Sequence, residues 1–198
     1  MSLVELLAQA DERGLAASGL ACLDRCVPLL GGDDEVLRPL WAGLVDDGEG
    51  WGEKAAKARG ELASSDADAS AGVGAGAASA SGAEVVLLAR RMLDAVPDER
   101  SGDALLAWAE VCSVSALRIH QLLDPLDAGG EDSVADCRAG RTEGASPLVA
   151  AELRRQVVVL ELLAQHGAAG VRQALGVATE GRRVLRAVVS RRARGAGR

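Results

Sequence analysis

Apolar residues along this chain recur three and four positions apart almost throughout, and the strict alternation of a half-buried strand is nearly absent. That period predicts helices. Leu3, Leu6 and Leu7 mark a short first one, and Leu15, Leu20, Leu23, Cys26, Val27 and Leu30 a second, which Pro28 kinks or ends before Gly31-Gly32. Asp33, Asp34 and Glu35 place negative charge where a helix N-terminus favours it, ahead of Val36, Leu37, Leu40, Trp41, Leu44 and Val45. Pro39 leaves the start of that third helix open over several residues. A weaker helix follows from Trp51 to Leu62.

The next stretch, SSDADASAGVGAGAASASGA from Ser64 to Ala83, has one large apolar residue, Val73, and nothing else to bury. It reads as a flexible linker or exposed loop. Beyond it, Glu84 to Val96 is helical up to Pro97, and Asp98 to Asp103 supplies turn and capping residues. Leu105, Trp108, Cys112, Ile119, Leu122 and Leu123 then make the most regular apolar stripe in the chain, closed by Asp124-Pro125. Residues 127–146 read as a second loop with room for one short turn of helix. Ser146 and Pro147, as N-cap and first helical residue, open a helix to about His166, and Gly167 to Gly170 turn the chain into its last segment.

These elements predict an all-α fold, a bundle of about six to eight helices ending in an antiparallel helical hairpin. Three regions follow: 1–63 and 84–198, both helical, and 64–83 between them. The two helical regions either stand apart or share one core.

Composition sharpens the picture in two ways. The chain has three Trp but no Phe, Tyr or Asn, and only two Lys, Lys54 and Lys57. Arg is therefore nearly the only cation available, and the aromatic stacking platforms common in single-strand nucleic-acid binders are missing. Charge is also unevenly spread: from Gly144 onward ten Arg stand against three Glu, whereas the first 143 residues carry twelve Lys or Arg against twenty-six acids. An acidic body thus carries a basic end, suited either to an acidic partner or to internal pairing with the body.

The basic end admits two readings. Residues 153–194 resemble a bacterial helix-turn-helix, with VVVLELLAQHG (157–167) as a first helix, VRQALGV (171–177) as the second helix and its turn, and TEGRRVLRAV (179–188) as the recognition helix. On that resemblance Arg182, Arg183 and Arg186 approach base edges or phosphates, with Arg191, Arg192 and Arg194 beyond them. Placed instead on one continuous helix, Val171, Ala174, Ala178, Gly181, Val184, Leu185, Val188 and Val189 fall on a single arc, with Arg183 and Arg186 opposite. The stripe then runs straight through Leu175-Gly176-Val177, with Gly181 on the buried side and Arg182 at its edge.

Other candidate chemistry is sparse. Cys22 and Cys26, four apart on one helix, read as small buried hydrophobes rather than metal ligands, and Cys112 as core. Cys137, in the polar loop beside Arg138 and near Arg141, is the cysteine whose neighbours favour a reactive thiolate. His120 and His166 stand near helix C-termini, where a cation meets the dipole. No metal site, cofactor motif or catalytic constellation is assigned. No secretory signal or membrane span is read, which sets the expectation of a cytoplasmic protein.

The expected function is a non-catalytic helical interaction or regulatory protein, its partner another protein or a second copy of itself. DNA through the basic terminal helix, or an enzyme pocket inside the bundle, are the alternatives.

Overall fold

A computed structural model describes residues 1–46, 49–69, 80–127, 130 and 132–195. Among them are nine α-helices, two short 3-10 turns and no strand. In chain order the helices are α1 (Leu3–Gln9), α2 (Glu12–Cys26), α3 (Arg38–Ala42), α4 (Trp51–Ala69), α5 (Ala80–Asp94), α6 (Gly102–Leu123), α7 (Asp132–Arg138), α8 (Pro147–His166) and α9 (Val171–Gly195). The all-α bundle closing on a helical hairpin is what the periodicity predicts.

Helix α2 is the axis of the bundle. Its residues Leu15-Ala-Ala-Ser-Gly-Leu-Ala-Cys-Leu are small or aliphatic on every side, and all residues from Gly14 to Cys26 are buried. A helix apolar all round belongs in the interior. It packs on α6, α9, α8 and α5. Asp11 caps its start, accepting a hydrogen bond from the Gly14 amide at 2.7 Å.

Gly19 sets how closely α6 approaches. A Cβ there would lie 2.7 Å from Cε3 of Trp108, so the indole lies flush against the α2 backbone. Trp108 donates from Nε1 to the Met92 carbonyl at 2.9 Å, and Trp51 meets it edge-on with ring centroids 6.1 Å apart. Trp51 in turn donates to the Pro97 carbonyl at 2.9 Å. These bonds tie α4, α5 and α6 around α2.

One contiguous apolar core takes residues from both predicted helical regions, from Leu3 and Leu20 through Leu62 to Met92, Ile119 and Leu185. Both margins of the predicted linker are helical. Residues 64–69 continue α4 and residues 80–83 belong to α5, while 70–79 lie outside the described residues.

Two other expectations change. The helix expected through Val36, Leu40 and Val45 is five residues long: Pro39, with no amide to donate, sits in its first turn, and the helix ends at Ala42 with Gly43 as its C-cap. Residues 127–146 contain the two-turn α7, with Val134 and Cys137 packed on Leu117 and Val149 in a small second cluster. At the start of α8, Ser146 has the extended backbone of an N-cap, but the capping bond comes from Asp124, whose Oδ2 accepts from the Leu148 amide at 2.9 Å.

Glycines at two positions predict opposite outcomes. Gly19→Ala should destabilise by about 1–3 kcal/mol, because a rigid indole must move. Gly176→Ala, at an exposed position of α9 where a Cβ meets nothing within 4 Å, should stabilise by about 0.5–1 kcal/mol. Urea titration of both variants measures this, and equal shifts of one sign would contradict it.

Candidate functional site

The two longest runs of the basic end, α8 and α9, are joined by a 3-10 turn over Gly167–Gly170 and pack as an antiparallel pair. Helix α9 is unbroken from Val171 to Gly195, so Leu175-Gly176-Val177 lies within a helix. The turn that a helix-turn-helix requires is not there.

The predicted arginines separate into two groups. Arg182 is buried, and its Nη1 donates to Asp24 Oδ1 at 2.5 Å and to the Asp34 carbonyl at 2.8 Å. Arg186 pairs with the Asp34 carboxylate, whose pKa that hydrogen bond lowers. Asp24, sealed beneath them, also accepts from Trp41 Nε1 at 2.9 Å; burial raises its pKa in spite of Arg182. These two arginines therefore fasten α9 to the acidic body. Arg183, Arg191, Arg192 and Arg194 are exposed, Arg183 lying 3.9 Å from Glu180 and Arg192 bonding to the Leu122 carbonyl.

Cys137 is not the reactive thiolate its neighbours in sequence suggest. It is buried on α7 rather than held in an open loop, and its pKa is raised by burial and by Asp127 and Asp136. Arg138 is engaged with Glu110, and Arg141 with Asp136 at 2.5 Å, so neither activates the thiol. All four cysteines are buried and free, and burial pushes Cys22 up to about 12.

At the centre lies a polar network that sequence reading missed. Arg25 of α2 and Glu152 of α8, both completely buried, form a two-pronged pair, with Nε to Oε2 at 2.8 Å and Nη2 to Oε1 at 2.5 Å. Gln156 donates to Glu152 Oε1 at 2.9 Å and accepts from Ser113 Oγ at 2.8 Å, while Arg138 donates to that hydroxyl at 3.0 Å. Burial opposes both charges of the central pair. Arg25 and the hydrogen bonds outweigh it at Glu152, whose pKa is lowered.

His120 completes the network. Its Nδ1 lies 2.7 Å from the Ala116 carbonyl, which makes Nδ1 the donor and leaves Nε2 bare, 3.6 Å from Glu152 Oε2. Burial lowers its pKa more than Glu152 raises it, so the ring is held neutral. His166 is exposed in the last turn of α8.

Gly181 makes room for this arrangement. A Cβ there would lie 2.2 Å from Cδ of Arg25 and 3.1 Å from Cδ of Arg155. Sequence reading placed this glycine on the buried face of α9; what passes it is a pair of arginine stems.

Outside the network, Arg155 opens into a groove of about 490 Å³ between α8 and α9. Ala151, Val158, Gly176 and Val177 provide small and apolar surface, with Arg154, Arg155, Gln173 and Glu180 around it. Arg155 is partly buried, its Nη1 is sealed from solvent, and it has no ion-pair or hydrogen-bond partner among the described residues. Here a cation whose Nη1 has no hydrogen-bond partner borders apolar surface in an accessible concavity. Among the described residues there is no cluster of His, Cys, Asp and Glu able to hold a metal and no helix long and apolar enough to cross a membrane.

Two predictions follow from the network. Arg25→Met or Glu152→Leu alone should cost about 3–5 kcal/mol, since each strands a buried charge, whereas the double variant should recover most of that loss. Additive losses in denaturant titrations would exclude coupling. The second prediction concerns pH: folded His120 is neutral while the unfolded ring takes a proton below its ordinary 6.5. Stability is therefore complete above that pH and falls beneath it, and Glu152, held below its ordinary 4.5, adds a further loss under more acid conditions. Unfolding free energies from about pH 7.5 to about pH 5 should decline in the native chain and decline less in His120→Asn; matching slopes would remove His120 as the cause.

Compared with protein-family models, with curated proteins and with solved structures, the chain matches none of them.

Proposed function

We propose that this chain is a non-catalytic helical interaction protein that docks a partner protein along the α8–α9 groove. The observation that carries this reading is the groove itself, an apolar floor beside Arg154 and an Arg155 whose buried Nη1 has no hydrogen-bond partner. A helical hairpin backed by a rigid core presents such a surface without rearrangement, which lowers the ordering cost of binding.

The same geometry weighs against the two alternatives. Arg182 and Arg186 are spent on Asp24 and Asp34, so two of the three arginines that the recognition-helix reading relies on are held by the acidic body, and Arg183, Arg191, Arg192 and Arg194 stand exposed above it with Arg154 and Arg172. An enzyme would need its nucleophile or base in contact with substrate; the four cysteines and His120 are sealed inside, which leaves His166 and surface carboxylates as the reachable groups.

Gly176→Trp is the discriminating variant, because the open space over Gly176 accepts an indole and the groove is then filled. The variant should fold with native helix content and a melting temperature no lower than the native chain. Proteins captured from extract by the native chain should be lost with it. An identical captured set would overturn the groove as the docking site. So would salt-sensitive binding of random duplex DNA that Gly176→Trp leaves unchanged.

A further inference from the structure

We infer that the occupant of the α8–α9 groove is an acidic, leucine-bearing helical segment of a partner protein, with one of its carboxylates seated on Arg155. This rests on the docking reading above and specifies the chemistry of the partner.

The argument begins with Arg155. Its stem crosses Gly181 and its Nη1 is sealed, so burial already works against its charge. The neighbouring acids Glu152 and Glu180 attract it and offset only part of that burial, and neither makes a close ion pair with it. Glu152 is occupied by Arg25 and Gln156, and Glu180, on the α9 side, is the near neighbour of Arg183 at 3.9 Å. Arg25 behind it and Arg154 beside it work against that attraction, and with burial the largest influence its pKa stays below the ordinary arginine value.

Any body that covers this groove finishes burying the guanidinium. An apolar or cationic occupant would strand a desolvated charge, which is strongly unfavourable, whereas a carboxylate converts the same burial into a charge-assisted hydrogen bond. The site therefore selects for an acid. A bare anion would leave Ala151, Val158 and Val177 unused, so the acid must arrive with an aliphatic neighbour. A helix bearing Leu and Glu three or four residues apart presents both on one face, and Gly176, with nothing above it, lets that face come close.

The probe is a fluorescent amphipathic helical peptide of about four turns carrying Leu and Glu on one face, with a Glu→Gln twin. Anisotropy titrations on the full chain should give at least about tenfold tighter binding of the Glu peptide, a preference that shrinks as salt is raised. In Arg155→Met, which keeps the stem over Gly181, the preference should fall to about threefold or less, while Arg155→Lys keeps part of it. Melting temperature gives a separate readout: Arg155→Met should melt no lower than the native chain, because the charge it removes is unpaired.

Equal binding of the two peptides overturns the inference, as does a preference that survives in Arg155→Met or no binding of the Glu peptide at all. Gly176→Trp separates the two levels. If both peptides bind alike and this variant blocks both, the groove docks partners without an acid anchor. If the acid preference persists when the groove is filled, the groove itself is the wrong site.

Discussion

Everything in the bundle is arranged around one contact, the buried pairing of Arg25 with Glu152. Two completely enclosed charges lose their hydration, and the loss is tolerable only when geometry and hydrogen bonding are nearly complete. Here the carboxylate receives two bonds from Arg25 and one from Gln156, and Gln156 is held in turn by Ser113 on α6. The pair joins α2 to α8 across 127 positions of sequence, and it can form only because α9 presents a glycine to the passing arginine stem. Leucine and alanine contacts have no direction and would tolerate several alignments of these helices. The ion pair tolerates one.

The adjacent residue extends the same logic. Asp24 and Arg25 are consecutive, so their side chains leave α2 about 100° apart and reach different neighbours. Arg25 engages α8, while Asp24 engages Arg182 of α9 and the indole of Trp41 on α3. A two-residue polar step in an otherwise apolar helix thereby fixes the positions of three others. Asp34 then receives Arg182 and Arg186 nearer the surface, where the exchange is partly exposed to water.

Helix content was legible wherever the apolar stripe was long. Leu105 to Leu123, Val149 to Leu163 and Val171 to Val189 each repeat enough to show the period of the helix, and Gly181 was legible as a buried glycine. Helix α7 was hidden because only Val134 and Cys137 mark its inner face. The central network was hidden for a different reason: Asp24-Arg25 in sequence looks like any solvated pair, and nothing local tells that Glu152 and Arg182 will meet it. At Cys137, proximity in sequence is not proximity of charge: the helix turns Arg138 toward Glu110, and burial with Asp127 and Asp136 acts on the thiol. The groove is equally out of reach of the sequence, since Ala151, Arg155, Gly176 and Val177 are brought together only when α8 and α9 pack.

The uneven charge of the chain finds its physical meaning in that last step. Part of the basic end is consumed internally, with Arg182 and Arg186 closing α9 onto the acidic body. A fold selected for stability alone would treat Arg155 in the same way or replace it with an aliphatic residue of similar length, since the position borders Val158, Val177 and the stem of Arg25. Instead the charge is kept at the boundary between core and solvent, half desolvated and beside a second arginine. Its burial is thus answered less fully than that of Arg25, Glu152 or Asp24, each of which meets an opposite charge within hydrogen-bond reach.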